Sequence, residues 1–116
     1  MTNIIHIIAC IAALEQGPNP KANEYSVYNL TPAAIADVAR DTGLDITVAE
    51  VDGSPIAASF TAQAFVRMLE RRLKRRLHRE PTVAEIGSAY NVGYRGALLG
   101  RGMGYGQRLR NLMEAK

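Results

Sequence analysis

Four helix-start signals cut this chain into short pieces and restrict it to a fold assembled from short helices. Thr31-Pro32 puts a capping residue before a proline at the first helical position, where the missing N–H costs nothing. Asp52-Gly53-Ser54-Pro55 makes a turn and then the same kind of start. Thr47-Val48-Ala49-Glu50 and Thr82-Val83-Ala84-Glu85 have capping-box spacing, in which the Thr and Glu side chains each satisfy a free backbone N–H of the first turn. Gly17-Pro18-Asn19-Pro20 stops whatever helix precedes it, because prolines cannot continue the hydrogen-bond ladder.

Between these marks the apolar spacing is helical. Ile4, Ile8, Ile11 and Leu14 or Glu15, widened by Ile5 and Ala12, predict a helix over 3–16, capped by Thr2 or Asn3. Residues 17–31 read as a loop, with a short extended piece near Tyr25 to Leu30. A second helix runs to Thr42 and ends at Gly43, and Thr47 begins a single helical turn. The third helix, over about 55–79, is the longest. Its first half is apolar all round (Ile56, Phe60, Ala64, Phe65, Met68), which implies burial on most sides. Its second half is one-sided, with Leu69, Leu73 and Leu77 inward and Arg71, Arg72, Arg75, Arg76 and Arg79 facing away. A fourth helix follows Pro81 and runs to about Asn91. Residues 93–104 are glycine-rich and read as a flexible loop, before a last short helix with Tyr105, Leu109 and Leu112 on one stripe. The expectation is a mainly α fold of about five helices, with residues 1–116 forming one domain.

At 47% hydrophobic and 22% charged residues the chain can bury a core, and with no Trp that core must come mostly from Ile, Leu, Val and Ala. A net charge of +3 favours anionic partners such as nucleic acid, wall polymer or a membrane surface without choosing among them. Cys10 is the only cysteine, so no internal disulfide forms. No apolar run reaches the roughly 18–20 residues that span a bilayer. The stretch Ile4 to Leu14 has the apolar look of a signal core, but no Lys or Arg precedes it and His6 interrupts it, so it reads as a structural helix.

Several features suggest sites. The cluster Gly100 to Gly106 lacks the spacing of a phosphate-binding loop and no strand precedes it, so a flexible loop beside a cleft is the better reading. His6 and Cys10 lie one helical turn apart but have no third ligand at recognisable spacing, so neither a metal nor another cofactor is expected. Cys10 as a nucleophile would need a nearby base, and burial would raise its pKa. The run Arg71 to Arg79 reads first as a solvated face and second as a polyanion surface; with Glu80 to Gly87, which looks like the start of a helix-turn-helix, it keeps a DNA-binding module as an alternative. The helix that would have to read bases falls in the glycine-rich stretch, so nucleic acid is not the favoured partner. Glu15 ends an apolar helix, where the macrodipole and partial burial would both push a carboxyl pKa upward, the direction a general acid needs.

Three stretches carry a family resemblance. Ala13-Leu14-Glu15-Gln16-Gly17-Pro18-Asn19-Pro20-Lys21-Ala22 resembles the first motif of the soluble lytic transglycosylase domain, an apolar helix ending at the catalytic Glu and followed by Asn-Pro and a small residue. Tyr25-Ser26-Val27-Tyr28-Asn29-Leu30-Thr31-Pro32 is similar to the second motif, commonly Tyr-Gly-Leu-Met-Gln-Ile-x-Pro. Ala89-Tyr90-Asn91-Val92-Gly93 resembles the third, Ala-Tyr-Asn-Ala-Gly, and Tyr105 with Arg108 resembles the Tyr-x-x-Arg of the closing helix. The matches fall in family order over almost the whole chain. Gln16 stands where the family usually has Ser, and Ser26 and Asn29 stand where it usually has Gly and Gln; these keep polar groups but alter their reach.

The resemblance implies a lysozyme-like helical domain with a substrate groove, cleaving the β-1,4 bond between N-acetylmuramic acid and N-acetylglucosamine in peptidoglycan. It implies Glu15 as the acid and base and Tyr90 as a hydroxyl near the reacting centre, with Gln16, Tyr28, Asn29, Asn91, Gly93 and Tyr105 binding substrate or shaping the groove. Ordinary glycosidases use two carboxylates about 5 to 9.5 Å apart. Asp37, Asp41, Asp45, Glu50 and Asp52 are available, but no motif fixes one opposite Glu15, which favours a single-carboxylate transglycosylase over a hydrolytic lysozyme (muramidase) of the same fold. A non-catalytic wall-binding or assembly protein is a third reading. The expected partner is the peptidoglycan glycan strand, met by a monomer in the periplasm or at the cell wall. With no clear signal peptide in view, a bacteriophage lysis protein (an endolysin) or a virion component is the delivery route that reconciles the two.

Overall fold

The computed structural model describes residues 3–16 and 27–115. In it the chain is mainly helical: α1 (Ile4–Gln16), α2 (Pro32–Thr42), α3 (Val48–Gly53), α4 (Pro55–Leu77), α5 (Val83–Val92), α6 (Tyr94–Leu98) and α7 (Met103–Glu114), with no strand among the described residues. Among the described residues no helix is long and apolar enough to cross a membrane.

Each start signal forms the cap its residues dictate. Thr31 Oγ1 accepts from the Ala34 N–H at 3.1 Å and Ser54 Oγ from the Ala57 N–H at 3.2 Å. Both capping boxes are closed reciprocally, Thr47 with Glu50 and Thr82 with Glu85. Asn3 caps α1, its Oδ1 accepting from the His6 N–H at 3.1 Å. Thr2 and the stop at Gly17 to Pro20 lie outside the described residues.

Two expectations about the connections are corrected. Val27 to Asn29 form a turn and not an extended piece. Residues 93–104 are not a flexible loop: they hold α6 and the first two residues of α7, and with α3 this makes seven helices among the described residues where about five were expected. Gly93 is the reason. At φ 88° and ψ 161° it occupies a conformation open essentially to glycine alone. From there its N–H donates to Ala89 O at 2.8 Å, closing α5, while its carbonyl accepts from the Ala97 N–H at 3.0 Å, opening α6. α4 is also slightly shorter than its pattern, because His78 turns left-handed at φ 58° and donates its N–H to Lys74 O.

α4 is the spine, packed by α1, α2, α3 and α5. Ile7, Ile8 and Ile11 of α1, Ile35 and Val38 of α2, Val51 of α3 and Ile86 of α5 are buried with Val66, Leu69 and Leu73 of α4. Such side chains contribute about 1.5–3 kcal/mol each by leaving water. The first half of α4 is not buried all round: Ile56 is 82% exposed and Phe60 46%, on one stripe with exposed Arg67 and Arg71. Neighbouring helices cover only the opposite face, where Ala58, Thr61, Ala62 and Phe65 are buried. Ile5 likewise does not widen the buried stripe of α1, being 70% exposed.

α5 and α7 approach unusually closely. A Cβ on Gly106 would lie 2.1 Å from Ala84 O and 2.6 Å from Ser88 Oγ, and one on Gly87 would lie 2.9 Å from Leu109 Cδ2. Glycine at these two positions lets the backbones meet. Ser88 Oγ bridges the same contact, within 3.0 Å of both Ala84 O and Gly102 O. This contact sets the height of Tyr105, the residue before Gly106, against the rest of the fold.

Candidate functional site

Glu15 lies in the last turn of α1, half-buried. The turn before α2 presents Asn29, whose Nδ2 donates to Glu15 Oε1 at 3.0 Å. Asn29 sits at φ 50°, a left-handed conformation that Asn tolerates better than most side chains, and this aims the turn's side chain back at α1. α5 holds the turn in place: the Tyr90 hydroxyl donates to the Tyr28 carbonyl at 2.7 Å, across 62 residues of sequence. Phe65 of α4 packs on the Tyr90 ring, centroids 5.3 Å apart and planes tilted by 55°.

Tyr105 completes the group. Its hydroxyl is buried and has no hydrogen-bond partner of full geometry among the described residues. Burial pushes its phenol well above the ordinary tyrosine range, and the nearby Glu15 carboxylate pushes it further. The Arg108 guanidinium, 5.9 Å from the centroid of the Tyr105 ring, opposes that shift. Burial also raises the Tyr90 phenol, with smaller contributions from Glu15 and Tyr28. Both phenols therefore keep their protons, that of Tyr90 held by the Tyr28 carbonyl.

A cavity of about 320 Å³ opens beside this group. Asn29, Tyr90, Asn91 and Gly93 line it, together with Phe65 and Asp37. Asn29 is the link, touching both the cavity and the Glu15 carboxylate. Glu15, Gln16, Tyr28 and Tyr105 do not line it. Gln16 is half-buried at the end of α1, and Tyr28 contributes its carbonyl. Another cavity of similar size, about 330 Å³ between Leu73, Leu77, Ser88 and Met103, contains none of the motif residues.

Phe65, Asp37, Ala33 and Ala34 line the cavity without being marked by the motifs. Phe65 sits in an ordinary apolar helix pattern and gives no local signal. Asp37 is one of five acids that the sequence leaves equivalent; the fold sorts them, placing Asp37 on the cavity wall in an ion pair with Arg40 and Asp41 outside it in one with Arg71.

The bond from Tyr90 to Tyr28 gives a direct test of how the turn is held. Tyr90→Phe leaves ring packing intact but strips the Tyr28 carbonyl of its donor. The expected cost is about 1–2 kcal/mol in urea unfolding, with the Asn29 amide less well held. An unchanged midpoint would show that water replaces the hydroxyl without loss.

No family model, no curated protein and no solved structure matches the chain.

Proposed function

We propose that the protein cleaves peptidoglycan glycan strands as a lytic transglycosylase, with Glu15 as its single general acid and base. One observation carries this reading. A half-buried carboxylate at a helix end is hydrogen-bonded by Asn29 and approached by the buried Tyr105 hydroxyl, beside a cavity walled by Asn29, Tyr90 and Asn91. These are the residues through which the chain resembles the family, drawn from segments far apart in sequence.

The chemistry needs little else. The protonated Glu15 donates to the glycosidic oxygen as the bond from C1 of the muramyl ring breaks and that ring gains oxocarbenium character. The resulting carboxylate then takes the proton of the muramyl 6-hydroxyl as its oxygen attacks C1, closing a 1,6-anhydro ring. Glu15 ends protonated again, and no water is consumed. Asn29 donates to the carboxylate and fixes its orientation. The Tyr105 phenol is buried near the same group, its proton uncommitted among the described residues. Tyr90 serves as a positioning residue, since its proton is committed to the Tyr28 carbonyl.

Asp37 supports a second reading, hydrolysis by a muramidase. It is the carboxylate on the cavity wall, and a hydrolase needs one to activate water or act as nucleophile. Its ion pair with Arg40 favours a spectator role. Digestion of purified peptidoglycan followed by mass spectrometry separates the two. The transglycosylase yields 1,6-anhydro ends and keeps most of its rate in Asp37→Asn. Reducing ends, with activity lost in Asp37→Asn, would establish the hydrolase. Binding to the wall with no new chain ends would leave only a non-catalytic role.

A further inference from the structure

The basic run on α4 does not behave as one face in the fold. Arg71 pairs with Asp41, Lys74 with Glu80 at 2.6 Å and Arg79 with Glu85 at 2.7 Å. The Arg79 guanidinium holds the Glu85 carboxyl down to about 2. Arg72, Arg75 and Arg76 are left over, with no ion pair among the described residues. They sit at i, i+3 and i+4, so they share one side of the helix.

Tertiary structure adds a fourth. Gly93 starts α6 beside this side of α4, and α6 brings Arg95, also without an ion pair among the described residues, together with the half-buried Tyr94. Arg72, Arg75, Arg76, Tyr94 and Arg95 line one concavity of about 510 Å³. No carboxylate lines it. Four like charges around one hollow make a local positive field that a bound polyanion would neutralise.

We propose that this hollow is a binding site for a flexible phosphodiester chain. Guanidinium groups make paired hydrogen bonds to phosphate oxygens, and the Tyr94 hydroxyl adds a neutral donor. The hollow is shallow and open, wide enough for a thin strand to lie along it. α6 spans only five residues, too short to lie along a major groove as a recognition helix, which favours a single flexible chain over a duplex read by its bases. The shared ligand chemistry is that of single-stranded nucleic acid and of glycerol-phosphate wall polymers. The site lies apart from Glu15 and does not depend on the reading of that carboxylate.

Fluorescence anisotropy with a labelled oligothymidylate tests it on the full chain, with polyglycerol phosphate, poly-L-glutamate and phosphatidylglycerol vesicles as competitors. Four phosphate contacts predict a slope of log affinity against log salt near about −3 for a single strand. Arg75→Gln with Arg95→Gln should weaken binding roughly tenfold and make that slope shallower by about 1.4. Arg110→Gln with Arg40→Gln removes the same net charge elsewhere and should change neither by more than about twofold. Whichever of oligothymidylate and polyglycerol phosphate binds more tightly identifies the source, and binding of either supports the site. Loss in the control variant equal to that in the site variant would overturn the proposal. So would equal competition by poly-L-glutamate, or binding confined to vesicles.

Discussion

Glu15→Gln is expected to stop clearing of a peptidoglycan suspension, a fall of about 10²–10⁴-fold in initial rate, the span over which a positioned general acid contributes. The substitution is close to isosteric. The Gln carbonyl can still accept from Asn29 Nδ2, so the turn that carries Tyr28 and Asn29 keeps its anchor. Stability should stay within about 0.5 kcal/mol of the parent, as for a partly exposed site away from the packed core. What is lost is the acidic carboxyl proton and the basic carboxylate it leaves. Without them neither the leaving oxygen nor the 6-hydroxyl can be served, so both halves of the reaction fail together. Clearing at the parental rate by a folded Glu15→Gln protein would remove Glu15 from the chemistry and return attention to Asp37, the carboxylate on the cavity wall.

The largest expected effect on folding comes from a single methyl group. Gly106→Ala places a Cβ 2.1 Å from Ala84 O and 2.6 Å from Ser88 Oγ. The nearer atom is helix backbone, which cannot rotate away as a side chain would. α7 must move off α5, breaking the Ser88 bridge to Gly102 O and loosening buried Leu109. The expected loss is about 3 kcal/mol, at the upper end for overpacking and well beyond the roughly 1 kcal/mol that Ala gains over Gly in helix propensity. Gly104→Ala supplies the control on the same helix. That position is exposed, and its added Cβ would meet only the Arg108 Nη1 at 3.5 Å, an ordinary contact. It should raise stability by up to about 1 kcal/mol. Thermal unfolding of the pair decides the matter, since opposite shifts are expected from one substitution two residues apart. If both stabilise, the close approach of α5 and α7 is wrong. Because Tyr105 precedes Gly106, the same displacement would carry its hydroxyl away from Glu15, so Gly106→Ala should also slow wall cleavage in the protein that remains folded.

The helix starts were legible because caps are local. Thr31, Thr47, Ser54 and Thr82 need only the next three residues to satisfy their first turns, and all four did so. The stretch 93–104 was not legible. Its glycines lower helix propensity, yet one of them, Gly93, closes α5 and opens α6 through a conformation no local pattern reveals. The exposure of Ile56 and Phe60 was equally hidden, because periodicity reports which residues are apolar and not how many neighbours will come to cover them.

The same division runs through Glu15. Its position at the end of an apolar helix, before a proline-rich stop, follows from the sequence alone, as do the cap-defined helices that place motif residues at element ends. That Asn29 would reach its carboxylate, that Tyr90 would spend its proton on the Tyr28 carbonyl, and that Tyr105 would arrive buried beside it were decided by tertiary structure. The sorting of the arginines was decided there too, with Arg71 and Arg79 paired and Arg72, Arg75, Arg76 and Arg95 left facing one hollow. The physical reason is the range of the interactions. A cap or an apolar stripe is settled within a few residues, whereas hydrogen bonds across 14 and 62 residues exist only once packing has paid the entropy of bringing their ends together.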